Sequence, residues 1–326
     1  MSENMGVWKD YPQLYHYTNQ SGLIGILETQ DLYASSYRFL NDAREIYYFR
    51  DLASVVLLPV FVTHTQTFLE KTPKAKEAVD LWGGVEAVAR RDLNSFLNSL
   101  YDVSFSSIGS RNENVHPFVL SFCAHKDEYE RDNGQLSQWR GYGAGGGYAI
   151  EFDTNKLSDL IGECVTKYNI SVGHFCPVLY GDEIDVRDEL ASEINLLKDA
   201  ALHYYGPEAP EKIQKAYGAF VKSCSVLKHR GFSEENEVRV VIAPILDNSD
   251  FGDLEDMPTF KKIYLRQSAS GPMSYIKLLE ETDKPLPINK IIVGPGLRQE
   301  KNYDAVRFAV GQQKIQVVKS DTPYIG

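Results

Sequence analysis

Cysteine is scarce in this chain, and its spacing excludes the frameworks that cysteine usually builds. The 326 residues contain four cysteines with no Cys-x-x-Cys pair, at positions 123, 164, 176 and 224. This pattern indicates reduced thiols and not a disulfide framework. The four cysteines and seven histidines also lack zinc-ligand spacing, since His174 and Cys176 form one isolated pair.

Targeting and membrane-spanning segments are missing as well. Residues Met1 to Tyr11 contain no apolar signal core. The longest apolar run, Leu52 to Val62, is far shorter than the roughly 20 residues that span a bilayer, and it contains Pro59. We therefore expect a cytoplasmic protein without a membrane partner.

Familiar nucleotide and hydrolase motifs are absent or misplaced. The chain has no Gly-Lys-Ser/Thr loop and no Gly-x-Ser-x-Gly elbow. Gly141, Gly143 and Gly146 match a Gly-x-Gly-x-x-Gly pattern, but a Rossmann fingerprint needs a helix after it, and here a strand is predicted to follow. These observations exclude a P-loop nucleotidase and a Rossmann domain.

The composition is that of a globular protein with a strong negative charge. Hydrophobic residues make up 43% and charged residues 24%, which is enough for a substantial core. The net charge of −11 disfavours general coating of nucleic acid, although a local basic patch could still bind a nucleic-acid substrate.

The residue patterns predict an α+β protein. Strands are predicted at 14–18, 32–35, 118–123, 148–152, 172–180, 237–243, 261–265, 290–293 and 314–318. Several of them are joined by loops too short for helical crossovers, so the sheet should be mixed or antiparallel. We expect one domain, 1–326, with helical insertions at about 51–114 and 185–228.

Two motifs place polar side chains on predicted strands. The first, Tyr15-His16-Tyr17-Thr18, ends the opening strand, where His16 could hold a sugar hydroxyl or simply bond to backbone. The second runs from Glu235 to Arg239. If it is extended, Glu235, Glu237 and Arg239 share one face, which would line a wet cleft or carry a surface ion pair.

Two further motifs lie in predicted helices. In Leu136-Ser137-Gln138-Trp139-Arg140-Gly141-Tyr142, Trp139 suits structural packing, whereas Gln138 and Arg140 are better placed for ligand contact. In Asn41-Asp42-Ala43-Arg44-Glu45, a helix N-cap with Glu45 in the first turn is a sufficient structural interpretation.

These blocks together resemble a known family. In chain order they are Tyr15-His16-Tyr17-Thr18, Asn41-Asp42-x-x-Glu45, Leu136 to Tyr142, Gly231 to Arg239 and Ile291-Ile292-Val293-Gly294-Pro295. The set, from Tyr15 to Tyr324, resembles a bacterial family of domains of unknown function that is similar to ADP-ribosyltransferases (ARTs). The resemblance implies a split, mixed sheet of ART type around an NAD cleft.

The resemblance also implies roles for individual residues. His16 would hold the adenosine-side ribose, Tyr33 or Tyr37 would stack on nicotinamide, and Glu237 would bond the nicotinamide ribose. Glu235 would orient the incoming nucleophile or take its proton, and Arg140 or Arg239 could hold pyrophosphate. The residues expected to contact NAD are His16, Tyr17, Thr18, Tyr33, Ser35, Tyr37, Asn41, Gln138, Arg140 and Arg239.

The function expected from the resemblance is mono-ADP-ribosyl transfer from NAD to a macromolecule, in a bacterial toxin or anti-phage role. The acceptor could be protein, RNA or DNA, and an antitoxin could neutralise the protein. An NAD glycohydrolase with the same site and a catalytically inactive binding module remain as alternatives.

Overall fold

The chain folds into two compact units. A computed structural model describes residues 6–40, 45–105, 116–143, 146–168, 170–181, 186–244, 261–268, 271–280 and 282–323. The sheet unit consists of Met1–Phe39, Phe118–Val178 and Gly231–Gly326. The helical unit consists of Leu40–Pro117 and Leu179–Arg230, two ranges that contain both of the predicted helical insertions.

Strands and helices are mixed along the chain. The strands are β1 Gln13–Thr18, β2 Tyr33–Ser36, β3 Phe118–Cys123, β4 Tyr148–Asp153, β5 Ile170–Pro177, β6 Leu179–Tyr180, β7 Leu227–Lys228, β8 Glu237–Pro244, β9 Ile263–Ser268, β10 Gly271–Lys277, β11 Ile288–Val293 and β12 Gln316–Lys319. The α-helices are α1 Val7–Asp10, α2 Gln20–Thr29, α3 Glu45–Lys71, α4 Lys76–Leu81, α5 Gly84–Phe105, α6 Glu128–Asn133, α7 Leu136–Tyr142, α8 Thr154–Lys167, α9 Ala191–Leu202, α10 Ala209–Val226 and α11 Gln299–Val310.

The sheet unit is built on one 10-stranded sheet. Eight strands follow the order β12-β11-β4-β1-β3-β2-β10-β9, while β8 pairs with β3 and β5 pairs with β8. The β11–β12 pair is parallel and β4–β11 is antiparallel, as are the remaining pairs of this sheet. The predicted α+β class and mixed sheet are confirmed.

Strand alternation gives the sheet two unlike faces. Leu14, Phe122, Ile150, Val240 and Ile291 are buried in one large cluster with residues of α2, α8 and α11, and we call this side the core face. Their sequence neighbours point to the opposite side, which we call the polar face. It holds a smaller cluster of Tyr15, Tyr17, Cys123, Trp139, Ala149 and Ile292.

Local sequence explains the β1–α2 junction. Asn19 caps α2 by accepting a hydrogen bond from the Gly22 N–H at 2.9 Å. Leu23 and Ile26 form the buried stripe of the helix, as their spacing predicts. The helix ends at Gln30, which adopts a left-handed conformation with φ of 51°.

The helical unit packs α3 against α5, α9 and α10. Phe49 and Phe61 of α3 are buried with Phe96 of α5 and Phe220 of α10. The helix α3 continues through Pro59 and includes the whole apolar run Leu52 to Val62. Within the described residues, Tyr47–Lys71 is long and apolar enough to cross a membrane, a test that a core helix of a soluble protein also passes.

The structure contains elements that the patterns did not predict, and it divides one predicted strand in two. The helix α8 follows β4, and the strand β10 lies between β9 and β2. The single strand expected at 172–180 is two strands, β5 in the large sheet and β6 in a two-stranded sheet with β7.

Candidate functional site

The sheet splits along one edge of β3. At one end of this edge Tyr15 of β1 pairs with Cys123, and at the other end Ser35 of β2 pairs with Val119. Ser121 lies between these two pairs and belongs to neither ladder. Because Cys123, Ser121 and Val119 are each two residues apart, the two attachment points are separated by roughly 13 Å of strand. The gap between β1 and β2 therefore opens beside Ser121.

His16 occupies this gap. Its Nδ1 lies 3.0 Å from the carbonyl oxygen of Ser121, so Nδ1 carries the proton and donates it to the oxygen that the split leaves without a strand partner. The ring meets Phe122 edge-on at 5.9 Å and belongs to the core face by alternation. Its Nε2 is then a hydrogen-bond acceptor in the neutral ring.

Arg266 of β9 joins His16 at this gap. Burial lowers the pKa of His16, the bond to Ser121 acts in the opposite direction, and the charge of Arg266 lowers the pKa further. The Nη2 of Arg266 also donates a hydrogen bond to Ser35 Oγ at 2.8 Å. The gap therefore contains a neutral imidazole next to a guanidinium.

Tyrosines line the adjoining strands. The Tyr33 ring lies 4.7 Å from that of Tyr275, which lies 5.6 Å from that of Tyr264. Tyr33 and Ser35 share the polar face because they alternate on β2. Tyr37, the other predicted nicotinamide-stacking residue, is buried, and its hydroxyl accepts a hydrogen bond from Arg38 Nε at 3.3 Å.

Glu237 and Arg239 lie on β8, on the other side of β3. Glu237 pairs with Cys123, and Arg239 pairs with Ser121, the residue to which His16 is bonded. The two side chains form a buried bidentate ion pair, with Nε to Oε1 at 2.7 Å and Nη2 to Oε2 at 2.9 Å. Glu237 is 6% and Arg239 1% exposed, so the two residues do not form a surface ion pair. They fit the predicted wet cleft only in part, because so little of either residue reaches solvent.

Glu235 is not part of this strand. It ends a 3-10 helix, Arg230–Glu235, and Asn236 then adopts a left-handed conformation with φ of 44°. The prediction that Glu235 projects from the same strand face as Glu237 is therefore wrong, because alternation requires an extended backbone. Burial raises the pKa of the Cys123 thiol, and the charges of Glu130, Glu235 and Glu237 raise it further, so Glu235 still lies near Cys123.

A hydrogen-bonded network lies beside Cys123 on the polar face. The Gln135 N–H donates to Tyr17 Oη at 2.6 Å, so Tyr17 donates its own proton to His125 Nε2 at 2.8 Å. Cys123 Sγ donates to Gln135 Oε1 at 3.0 Å, and Gln135 Nε2 donates to the carbonyl of Glu234. Tyr17 is thus engaged within the protein, and Thr18 pairs with Tyr148 at the end of β1.

The helix α7 presents Gln138 and Trp139 differently. Trp139 is fully buried, packs edge-on against Tyr17 at 4.8 Å and donates Nε1–H to the carbonyl of Asn133 at 2.9 Å, which confirms its structural role. Gln138 is buried. Arg140 is exposed.

Of the predicted site residues, His16 and Ser35 lie along one edge of β3, and Glu237 and Arg239 lie on β8 along the other edge. By alternation His16 belongs to the core face, whereas Ser35, Glu237 and Arg239 belong to the polar face. Asn41 lies outside the described residues, so the helix N-cap predicted there does as well. Arg266 and His125 were missed by sequence reasoning, because neither belongs to a recognisable motif. Across the part of the chain that the structure describes, no group of three or more His, Cys, Asp or Glu residues is arranged to hold a metal.

Comparison with known proteins identifies part of the chain. Residues 138–240 match the model of a family described as a protein of unknown function, DUF2971. No curated protein and no solved structure matches the chain. The matched segment begins at Gln138 and includes Glu237 and Arg239, so a domain of unknown function, DUF2971, is found at the residues that form one side of the candidate site.

Proposed function

We propose that this protein is an NAD-dependent mono-ADP-ribosyltransferase that modifies a macromolecule. The observation that carries the proposal is the split of the sheet at Ser121, where the imidazole of His16 lies at the open edge of β3. The Glu237–Arg239 pair lies on β8 along the opposite edge of β3 and, by alternation, on the opposite face. Paired strands leave no room for a ligand between them, so a split of this kind offers an extended ligand such as a dinucleotide a place to bind. A split sheet is also what the resemblance to ARTs implies.

Glu237 supplies the carboxylate that the reaction requires. In the proposed step the bond between nicotinamide and ribose breaks, and nicotinamide leaves with the electron pair while the sugar becomes cation-like, as in glycoside hydrolysis. The bidentate contact with Arg239 fixes the orientation of the carboxylate before substrate arrives. A carboxylate retains further lone pairs that can accept the ribose 2′-hydroxyl proton. Loss of such a preorganised group costs on the order of 10²–10³ in rate.

His16 and Arg266 serve the other end of NAD. With Nδ1 donating to Ser121, Nε2 of His16 can accept a hydrogen bond from a ribose hydroxyl. The neighbouring guanidinium of Arg266 is complementary to pyrophosphate. Glu235, near Cys123 but on its own turn, takes the proton from the acceptor nucleophile as that nucleophile bonds to the ribose carbon.

The biological role rests on the resemblance alone. On that basis the protein is a cytoplasmic toxin or anti-phage effector, NAD is its co-substrate, and an antitoxin is its neutralising partner. Protein, RNA and DNA remain candidate acceptors.

The proposal is tested by measuring nicotinamide release and label transfer from adenylate-labelled NAD in a cell lysate. Wild-type protein should release nicotinamide and label a macromolecule, whereas Glu237→Gln should do neither. Glu300→Gln is the matched control, because Glu300 is an exposed carboxylate of α11 paired with Lys319. Free ADP-ribose without labelled macromolecule would instead identify a glycohydrolase. An absence of turnover and of NAD-induced thermal stabilisation would identify a binding module without this activity.

A further inference from the structure

The helical unit contains a cavity that the proposed NAD chemistry does not use. It has a volume of about 640 Å³ and lies among α3, the α4 region, α5 and Tyr205. Its apolar wall is formed by Phe68, Ala75, Ala78, Val79 and Val88. A cavity of several hundred Å³ with an apolar wall has the size and lining of a small-molecule site.

Aromatic and charged side chains form the rim of this cavity. The guanidinium of Arg91 lies 4.2 Å from the centre of the Trp82 ring, and its Nε lies 3.5 Å from Asp92 Oδ1. Tyr205 donates its hydroxyl proton to Asp92 Oδ2 at 2.5 Å. Asp92 therefore contacts both Arg91 and Tyr205, and the guanidinium of Arg91 lies over the Trp82 ring.

The charges at the rim favour an anion. Lys71, Arg91 and Asp92 are the charged residues of its lining, so the lining carries one net positive charge. Asp92 contacts Arg91 and accepts a hydrogen bond from Tyr205. In a protein with a net charge of −11, a lining with a net positive charge is a local exception that would attract an anionic ligand.

The apolar side chains at the mouth are open to solvent. Trp82 is 63% and Phe68 52% exposed, and Leu81 beside Trp82 is 88% exposed. Apolar groups grouped around a concave site are typical of a ligand-binding surface, because leaving them in water forgoes the free energy of burial.

We propose that this cavity binds a small aromatic organic anion. The rings of Trp82, Phe68 and Tyr205 favour a flat aromatic ligand, whose face can stack where an alkyl chain would make fewer specific contacts. Its acidic group would lie between Lys71 and Arg91, with its ring system against Val79 and Val88. The proposal is independent of NAD turnover, since none of these residues belongs to the sheet unit.

The test uses 1-anilinonaphthalene-8-sulfonate, a two-ring aryl sulfonate, with the full-length protein. Its fluorescence titration should show one saturable site, with energy transfer from Trp82 to the probe. Trp82→Phe should lower that transfer, because Trp82 is the tryptophan that lines the cavity. A neutral naphthalene alcohol should compete at least tenfold more weakly than naphthalene-1-sulfonate.

Two matched substitutions separate the cavity from the general surface. Arg91→Met should raise the dissociation constant of the probe about tenfold, through loss of a charge-assisted contact. Arg90→Met should leave it unchanged, because Arg90 is the adjacent exposed arginine, is paired with Glu86 and does not line the cavity. Val88→Trp should block binding by filling the cavity, with far-UV circular dichroism verifying the fold.

Several outcomes would overturn the proposal. They are binding at many weak sites, equal effects of Arg91→Met and Arg90→Met, or a saturable site that prefers laurate to aryl anions. A cavity that binds no probe and yet is covered by a protein partner in cross-linking experiments would overturn it as well.

Discussion

Glu237 and Arg239 form a two-point ion pair although they lie only two residues apart on the same strand. The two side chains can meet because they lie on the same face of β8, and both are buried in the sheet unit. The carboxylate proposed to act on NAD is therefore also part of the packing of the sheet.

Glu237→Gln should lower the stability of the protein as well as its activity. The substitution breaks the buried ion pair with Arg239 by removing the charge of one partner, which typically costs about 3–5 kcal/mol. The double variant Glu237→Gln/Arg239→Met should recover much of this loss, because the flexible apolar chain fills the same space. Equilibrium unfolding in urea measures the free energy of unfolding of both variants. A double variant that is stable yet inactive separates catalysis from folding. Equal stability of Glu237→Gln and wild type would contradict the role of the pair.

Two substitutions at His16 should separate its structural bond from its proposed contact with NAD. In His16→Asn the side-chain amide can still donate to the Ser121 carbonyl, but it lacks the second ring nitrogen. We expect near-native stability and at least tenfold weaker NAD binding, measured by calorimetry. His16→Ala loses both the hydrogen bond to Ser121 and the contact with NAD. The Ser121 carbonyl left without this bond should lower the stability by about 1–3 kcal/mol. NAD affinity that survives in His16→Asn would remove His16 from the proposed site.

Acid should destabilise the protein through His125. Burial, with the charges of Lys290 and Arg131, lowers the pKa of His125 to about 3. Its Nδ1, which carries the proton when Nε2 accepts from Tyr17, is buried without a hydrogen-bond partner among the described residues. In the unfolded state His125 therefore binds a proton near pH 6.5, whereas in the folded state it binds one only near pH 3.

Between these two pH values, stability should fall as the pH falls, by up to about 1.4 kcal/mol per pH unit from this residue. His125→Gln, which can still accept from Tyr17, should flatten that slope. Urea unfolding at pH 7, 6, 5 and 4 tests this. An unchanged slope in the variant would assign the acid sensitivity to other groups.

Gly294 should tolerate no side chain. A Cβ at this position would lie 2.8 Å from the carbonyl oxygen of Gly147 and 2.8 Å from the Trp139 ring. Gly294→Ala should therefore destabilise the protein by about 1–3 kcal/mol. Gly218→Ala is the control, because a Cβ there meets nothing within 4 Å in α10, and removing a helical glycine should stabilise by about 0.5–1 kcal/mol. Thermal melts of the two variants should shift in opposite directions.

Regular elements with strong local patterns could be predicted from the sequence. The strand β3 has the predicted bounds, Phe118–Cys123. The helix α2 begins directly after Asn19, a residue type that favours helix caps. The helix α8 also carried a readable signal, since Asp153 caps it and Leu157, Leu160, Ile161 and Cys164 form its buried stripe.

Other parts of the structure had no local signal. The strand β10 includes Gly271 and Pro272, two residues that disfavour strands, and forms because β9 and β2 flank it. The position of Glu235 depended on the left-handed conformation of a single residue, Asn236, which interrupts an otherwise strand-like pattern. Arg266 reaches Ser35 only through the β9–β10–β2 order, across 231 residues of chain.

The sequence by itself determined the class of the protein, most of its strands, and the side chains suited to sugar and phosphate chemistry. These follow from short-range periodicity and residue chemistry, which act within a few residues. Only the tertiary structure decided that His16 bonds to Ser121, that Arg239 lies opposite the same residue, and that Glu237 is locked to Arg239. Strand pairing sets such neighbours, and it depends on register and burial summed over distant segments.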